Sequence, residues 1–397
     1  MQSRTKETPD IGAQIHEVLP PEVMSRVFTL FNENLVDGRP QISKLALVCS
    51  QWADIVRSTP ELFTRYQLTF YYGTPPDVLT QAALDWFARS GSLPVDLSIC
   101  YGWWGKFGTL STHLKTLLDT IAARLRVFRC RVRRNRLADF AEMLPPLPFL
   151  ECLDFTSEVV VGENPEAPVA FVLPSFVVSS PSLKHLVLHG TFGQAFTRNI
   201  ESFVAWRRLT QLDISDIGVP SDTIRKTFFL CTNIKEASFR LMGWRRKETP
   251  ASLPPTRLAY LHKLAISMGD SHHQKVDIAP FFSSLSLPSL IELRLENTFE
   301  KNRILPVSQA LLQLHTEQPF ALQKLVIKLV PVELDELCQL LSYQQTLTSI
   351  DLFGPDYLSD KFFKFLNDPS ASHQKVLPDL VSIKLNHLSL THAQTEL

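Results

Sequence analysis

The 397 residues carry 40 Lys plus Arg against 40 Asp plus Glu, with 45% hydrophobic and 20% charged content. That balance describes a folded chain long enough for two or three domains, or for one small domain and a long repetitive one. A net charge of zero supplies no global attraction to nucleic acid or anionic lipid, so either would need a local patch. Six cysteines (Cys49, Cys100, Cys130, Cys152, Cys231 and Cys338) are scattered without a CxxC pair, which fits reduced thiols. The first residues lack the apolar region of a signal peptide, and no window offers about 18 consecutive apolar residues. The expected setting is soluble and intracellular, cytoplasmic or nuclear.

In chain order, residues 1–14 read as a polar tail and 15–65 as a helical head. Pro20 and Pro21 suit a helix opening, where a missing N–H is harmless, and Glu22 complements the dipole of the first turn. Val23, Val27 and Leu30/Phe31 recur at helical spacing as one apolar stripe. ENLVDGRP, with Gly38 and Pro40, is a loop. A second helix is expected over 42–58, with Leu45, Val48/Cys49, Trp52 and Ile55/Val56 in phase, and STPELF starts a third short turn. Three short helices bury little alone, so the head is expected to lean on a partner or on the domain behind it. Residues 66–92 read as a connecting segment.

From 93 to 397 the period changes. LxxLxL, whose apolar positions suit a short strand facing a core, fits Leu183/Leu186/Leu188, Leu209/Leu212/Ile214, Leu261/Leu264/Ile266 and Leu290/Leu293/Leu295. It continues at Leu322/Leu325/Ile327, Leu347/Ile350/Leu352 and Leu380/Ile383/Leu385. Weaker copies lie at Pro94/Leu97/Ile99, Leu125/Phe128/Cys130, Leu150/Leu153/Phe155 and Ile234/Ala237/Phe239. Successive copies start 25 to 33 residues apart, and helical candidates such as NIESFVAW, SDTIRKTFFL, VSQALLQLH, VELDELCQLL and SDKFFKFL lie between them. The expected fold is α/β: a three-helix head followed by a leucine-rich-repeat solenoid, with parallel strands on the concave face and helices on the convex face. GENPEAP (162–168) and RRKETPASLPP (245–255) read as Pro-rich surface loops.

Enzyme signals are thin. LAISMGDSHH ends a strand in Gly-Asp-Ser, but it lies mid-repeat with no matching acid and histidine pair late in the chain, so Ser271 reads as a loop serine. His185 and His189 are four apart on a strand, about 13 Å, too far to share a zinc ion, and His272 and His273 lack further ligands. No phosphate loop, dinucleotide fingerprint, HExxH or EF-hand is present. The expectation is a non-enzymatic protein with no catalytic residue, metal or cofactor. Trp103 and Trp104 are either a loop anchor or packing against a repeat.

The conspicuous charge run is RLRVFRCRVRRNR, 124–136, with seven arginines. Alternation puts Phe128, Cys130 and Val132 on one face and Arg129, Arg131 and Arg133 on the other. A solvated face, contact with an acidic protein and nucleic-acid binding all remain open, though missing aromatics and zero net charge disfavour the last. By the same alternation Asp154, His185, His189, Asp213, Glu236, Arg240, Lys263, Glu292, Arg294, Glu296, Lys324, Lys328, Asp351 and Lys384 lie on the concave face. Mixed charge on a broad sheet suits a protein or peptide ligand. The candidate substrate-binding residues are therefore Arg129, Arg131, Asp154, His185, Asp213, Arg240, Arg294 and Lys324.

LPPEVMSRVF, a variable loop and then LALVCSQWADIVRSTPELF resemble the F-box-like domain abundant in fungal proteins, and RYQLTF followed by ALDWFARSGSLPVDLSI is similar to the continuation of those proteins. The resemblance covers roughly 15–100 by motif and the rest by repeat architecture. It implies a substrate-recognition subunit of an SCF-type ubiquitin ligase, docking on the adaptor, and through it a cullin, by the F-box and holding a protein substrate by the repeats. Adaptor contacts carried onto matching positions are Leu19, Pro20, Val23, Val27, Leu45, Val48, Cys49, Trp52, Pro60 and Leu62; Phe63 stands where many relatives have Trp. Val48 and Trp52 are also expected to pack the head on the first repeat. The alternative is a protein-interaction scaffold outside ubiquitination.

Overall fold

The computed structural model describes residues 19–33, 42–70, 74–101, 107–158, 180–190, 206–241, 255–268, 278–297, 307–354, 360–367 and 377–386. The tail at 1–14, most of the first loop and of NIESFVAW, Trp103, Trp104, Ser271, His272, His273 and nearly all of the Pro-rich interruptions lie outside them. The chain forms two compact units, residues 1–132 with 142–150, and residues 133–141 with 151–397.

In the first unit, α1 (Pro21–Glu33) opens with the Pro20 carbonyl accepting from the N–H groups of Val23 and Met24. Its inward residues are Met24, Phe28 and Asn32, four apart and all buried. The apolar stripe of Val23, Val27, Leu30 and Phe31, two of which match adaptor contacts, points out. A helix that is apolar on two sides can cover only one of them with its own domain.

The single helix expected over 42–58 is also two. α2 (Ile42–Ala46) ends in a turn in which the N–H groups of Leu47 and Val48 donate to the carbonyls of Lys44 and Leu45. Cys49 is extended (φ −160°, ψ 170°), and α3 (Ser50–Ser58) starts after it. This break turns Ile42, Ile55 and Val56 into one core with Met24, Phe28, Leu62 and Phe63, and pushes Leu47 and Val48 out. A 3₁₀ turn, Pro60–Phe63, seats Leu62 and Phe63, and Asn32 Nδ2 donates to the Leu62 carbonyl (3.2 Å) to close the head.

The segment read as a connector is a full strand and helix repeat. β1 (Arg65–Phe70), α4 (Pro76–Ala88), β2 (Val95–Tyr101), α5 (Phe107–Ile121) and β3 (Leu125–Arg133) form three parallel strands with two adjacent helices. Leu68 and Phe70 of β1 and Ala83 and Phe87 of α4 are buried, so this repeat has a core of its own. Buried Asp96 ties the three strands at one end, receiving Arg126 (3.1 Å) from β3 and facing Arg65 (3.4 Å) from β1. α6 (Leu137–Met143) follows β3.

The second unit holds, among the described residues, nine parallel strands ordered β4-β5-β6-β7-β9-β11-β12-β13-β14. They are β4 (Cys152–Glu158), β5 (His185–His189), β6 (Gln211–Val219), β7 (Glu236–Leu241), β9 (Lys263–Met268), β11 (Glu292–Asn297), β12 (Lys324–Lys328), β13 (Ser349–Phe353) and β14 (Ser382–Asn386). β8 (Thr256–Arg257) and β10 (Leu285–Ser286) pair separately. Between them run α7 (Ser221–Leu230), α8 (Ala279–Ser283), α9 (Val307–Glu317), α10 (Leu334–Tyr343) and α11 (Asp360–Asn367). Strand, helix, strand in one parallel sheet is the repeat solenoid that the LxxLxL period predicts.

The fourth and sixth template positions form two unbroken apolar rows, from Leu153 and Phe155 on β4 to Ile350 and Leu352 on β13, all buried. The row opens at β14, where Ile383 is 40% exposed; this strand has one described neighbour instead of two. Gly190 (φ +102°) closes β5 so near the Ser157 carbonyl oxygen that a Cβ there would collide with it. Glycine is required at that point.

Candidate functional site

Two surfaces stand out, one in each unit. On the head, both the outward row of α1 and the turn between α2 and α3 expose apolar side chains: Val23, Val27, Leu30 and Phe31 are each 43% to 46% exposed, Val48 is 59% and Leu47 84%. Six large exposed apolar side chains on one small head are the kind of surface that marks interaction sites.

The ten residues matched to adaptor contacts divide accordingly. Pro20, Val23, Val27, Val48 and Pro60 face out, while Leu19, Leu45, Cys49 and Trp52 are half-buried at the edge of the core. Leu62 has no exposed surface; it shapes the head from within and supplies no contact area, which corrects its expected place. Leu30, Phe31 and Leu47 extend the patch beyond the matched residues.

Trp52 packs within the head, and Val48 is exposed. The Trp52 ring lies on Phe28 (4.9 Å between centroids). The junction runs through Phe63, whose ring meets Trp86 of α4 at 4.9 Å and lies 5.4 Å from the Arg89 guanidinium. Trp86 Nε1 donates to the Arg65 carbonyl (3.0 Å), locking α4 on β1. Both tryptophans are legible in the sequence, but only their neighbours assign the roles.

The arginine run resolves into separate tasks. Arg124 donates to the carbonyls of Gly91 and Leu93 at the end of α4, Arg126 holds Asp96, and Arg136 pairs with Asp139 (3.3 Å). Arg134 is buried. Arg129 and Arg131 stand exposed on the outer face of β3, as alternation requires.

In the second unit, the face away from the helices carries three rows. In the first, charges alternate across neighbouring strands: Glu236 pairs with Lys263 (2.8 Å) and Glu292 with Lys324 (2.6 Å). The Glu236 carboxylate, by hydrogen bond and charge, holds the Lys263 ammonium above the usual lysine range. In the middle row Asp154, Val187, Asp213, Ser238, Ala265, Arg294, Val326 and Asp351 stand in register. The third brings Arg240, Ser267 and Glu296 together.

Where the middle row shrinks to Ser238 and Ala265, the face dips. A depression of about 390 Å³ is bounded by Ser215, Asp216, Arg240, Ser267, Arg294 and Glu296, and a second lobe of about 250 Å³ reaches Asp213, Lys263 and Glu292. β6 bulges here: pairing passes from Ile214 with Phe239 directly to Gly218 with Arg240, so Ser215, Asp216 and Ile217 have no opposite residue. Bulges re-aim side chains next to binding sites.

Of the expected substrate-binding residues, the fold gathers Asp213, Arg240 and Arg294 around this depression. Lys324 is held by Glu292, His185 stands exposed on β5, Asp154 is half-buried on β4, and Arg129 and Arg131 belong to the other unit. Ser215, Asp216, Ser238, Ala265 and Ser267 escaped the sequence reading. The available signal was the shift of burial from Leu212 and Ile214 to Ile217 and Val219, which marks a slip in alternation.

Among the described residues no group of three His, Cys, Asp or Glu side chains could hold a metal ion, and no helix is long and apolar enough to cross a membrane. No family model and no curated protein matches the chain. Among solved structures, a chain from the crystal structure of the Rad7 and Elc1 complex in yeast is similar with a TM-score of 0.38 and 12% identity, over 86% of this chain and 90% of that one.

Proposed function

We propose that the protein is a substrate-recognition subunit of an SCF-type ubiquitin ligase and performs no chemistry of its own. The head docks on the adaptor through the outward row of α1 and the α2–α3 turn, and the repeats hold a protein substrate on the face away from their helices. Tethering raises the effective concentration of a substrate lysine beside a ubiquitin-charged enzyme, turning an encounter into a nearly intramolecular step. The observation that carries this reading is the apolar patch Val23, Val27, Leu30, Phe31, Leu47 and Val48, on a segment that resembles an F-box.

The test is co-purification with the adaptor. Val23→Asp with Val27→Asp is expected to abolish capture while circular dichroism and melting temperature stay unchanged, since both side chains face solvent. Capture that survives the double change, or a wild-type chain that captures no adaptor, overturns the reading. Capture without cullin recruitment favours the scaffold alternative.

A further inference from the structure

We propose that the depression in the second unit binds a basic peptide segment, with a lysine or arginine side chain of the bound protein lying over Ser238 and Ala265 against Asp213 and Asp216. This deepens the substrate-holding role of the repeats and rests on it. Four observations converge.

The first is shape. Three strand steps of about 4.8 Å separate β6 from β11, so the walls stand about 14 Å apart over a floor of small side chains, room for one long extended side chain. The second is the bulge, which lifts Ser215 and Asp216 out of the ladder to form one wall. Ser267 Oγ reaches across to the Ser215 carbonyl (3.4 Å), bracing that wall from β9.

The third is the balance of charge. Across the two lobes the carboxylates of Asp213, Asp216, Glu236, Glu292 and Glu296 outnumber the cations of Arg240, Lys263 and Arg294. The fourth is where the surplus sits. Glu236 is matched by Lys263, Glu292 by Lys324 and Glu296 by Arg294 (2.7 Å). Among the described residues Asp213 accepts from the Ser215 N–H (3.0 Å), and Asp216 lies 3.1 Å from His189 Nδ1. Among the described residues no ion pair joins either carboxylate to a Lys or Arg, so two carboxylates stand on the β6 side of the groove, with Arg240 the cation nearest along the wall. A cation seated there gains charge-assisted hydrogen bonds without breaking any of the pairs.

The probes are three fluorescein-labelled twelve-residue peptides on a Gly-Ser background, carrying four arginines, four glutamates or no charge, titrated against the full chain by anisotropy. The arginine peptide is expected to bind, and Asp213→Asn with Asp216→Asn to weaken it about tenfold at unchanged melting temperature. Glu317→Gln with Asp335→Asn, which removes the same charge from the helix side, is expected to leave binding intact. Equal or tighter binding of the glutamate peptide, equal loss in the helix-side variant, or no binding by the wild type overturns the proposal. So does self-association in sedimentation that disappears in the Asp213/Asp216 variant, which would make the occupant a second copy. Adaptor capture measured on the same preparations separates the two ideas: capture without arginine-peptide binding refutes only the groove, and the reverse refutes only the ligase role.

Discussion

The head and the repeat face leave different things exposed. The head ends in side chains that water penalises, Val23, Val27, Leu30, Phe31, Leu47 and Val48, while the repeat face ends in charges that mostly satisfy one another across adjacent strands. An apolar patch gains from any partner of the right shape, which suits the docking role proposed for the head. A sheet face of internal ion pairs is soluble as it is and rewards only a ligand whose charges improve on those present. The contrast is between an apolar surface and an ion-paired one.

The largest effect should come from crossing the line between the two sides of α1. Phe28→Ala removes a ring buried against Trp52 in the head core and should cost about 3–5 kcal/mol, read by denaturant unfolding. Leu47→Ser, on the exposed patch, should stay within about 0.5 kcal/mol while weakening adaptor capture. Comparable losses in both would mean that the patch is part of the core.

An intermediate effect is expected where the repeats half-bury a polar group. His315 on α9 stacks on Tyr343 (5.3 Å between centroids), and its Nδ1 receives the Gln344 amide (3.1 Å) and the Phe320 N–H (3.4 Å). Gln344 Oε1 is already taken by the Leu322 N–H (2.8 Å), so its NH₂ is the donor and Nδ1 must be an unprotonated acceptor. Burial pushes the imidazole below its ordinary value of 6.5. The folded state therefore binds this proton less readily than the unfolded chain. The stabilisation is fully present above pH 6.5 and is lost as pH falls through the folded value. Melting temperatures from pH 8 down to 5 should drop in the wild type and less steeply in His315→Phe; parallel curves would exclude His315 as the source.

The smallest effect belongs to the ion pairs of the repeat face. Lys324→Ala breaks the bond to Glu292, but both groups are partly exposed, so the change in stability should stay below about 1 kcal/mol and shrink further in salt. A loss of several kcal/mol would show the ladder to be structural, and the contrast with the head would weaken.

Much of this architecture is legible residue by residue. Leu186 and Leu188, Leu264 and Ile266, and Leu325 and Ile327 predict buried strand positions, because alternate residues of a strand face opposite sides and only one side is apolar. The same rule places Arg129 and Arg131 outward on β3. RYQLTF reads as a connector because Phe63 and Tyr66 stand where the template has leucine, although it lies one repeat spacing before the next copy; pairing with β2 makes it a strand. In the candidate groove, Asp213, Arg240 and Arg294 follow from alternation, whereas Asp216 does not, since a bulge breaks the rule that would have placed it.

What the sequence determined by itself is periodic: which residues of each element share a face, and that strands and helices alternate. Tertiary structure alone decided which face is covered. Val23 and Val27 form as good a stripe as Met24 and Phe28, yet the fold turns the second pair inward, because Ile55, Val56 and Phe63 arrive on that side from 27 to 39 residues further along the chain. It also decided that Trp86 joins head to repeat, that Leu47 and Val48 protrude at a helix break, and that β6 bulges beside Ser238 and Ala265. Spacing along a chain fixes faces, but exposure is a property of neighbours, and neighbours distant in sequence leave no mark on local period.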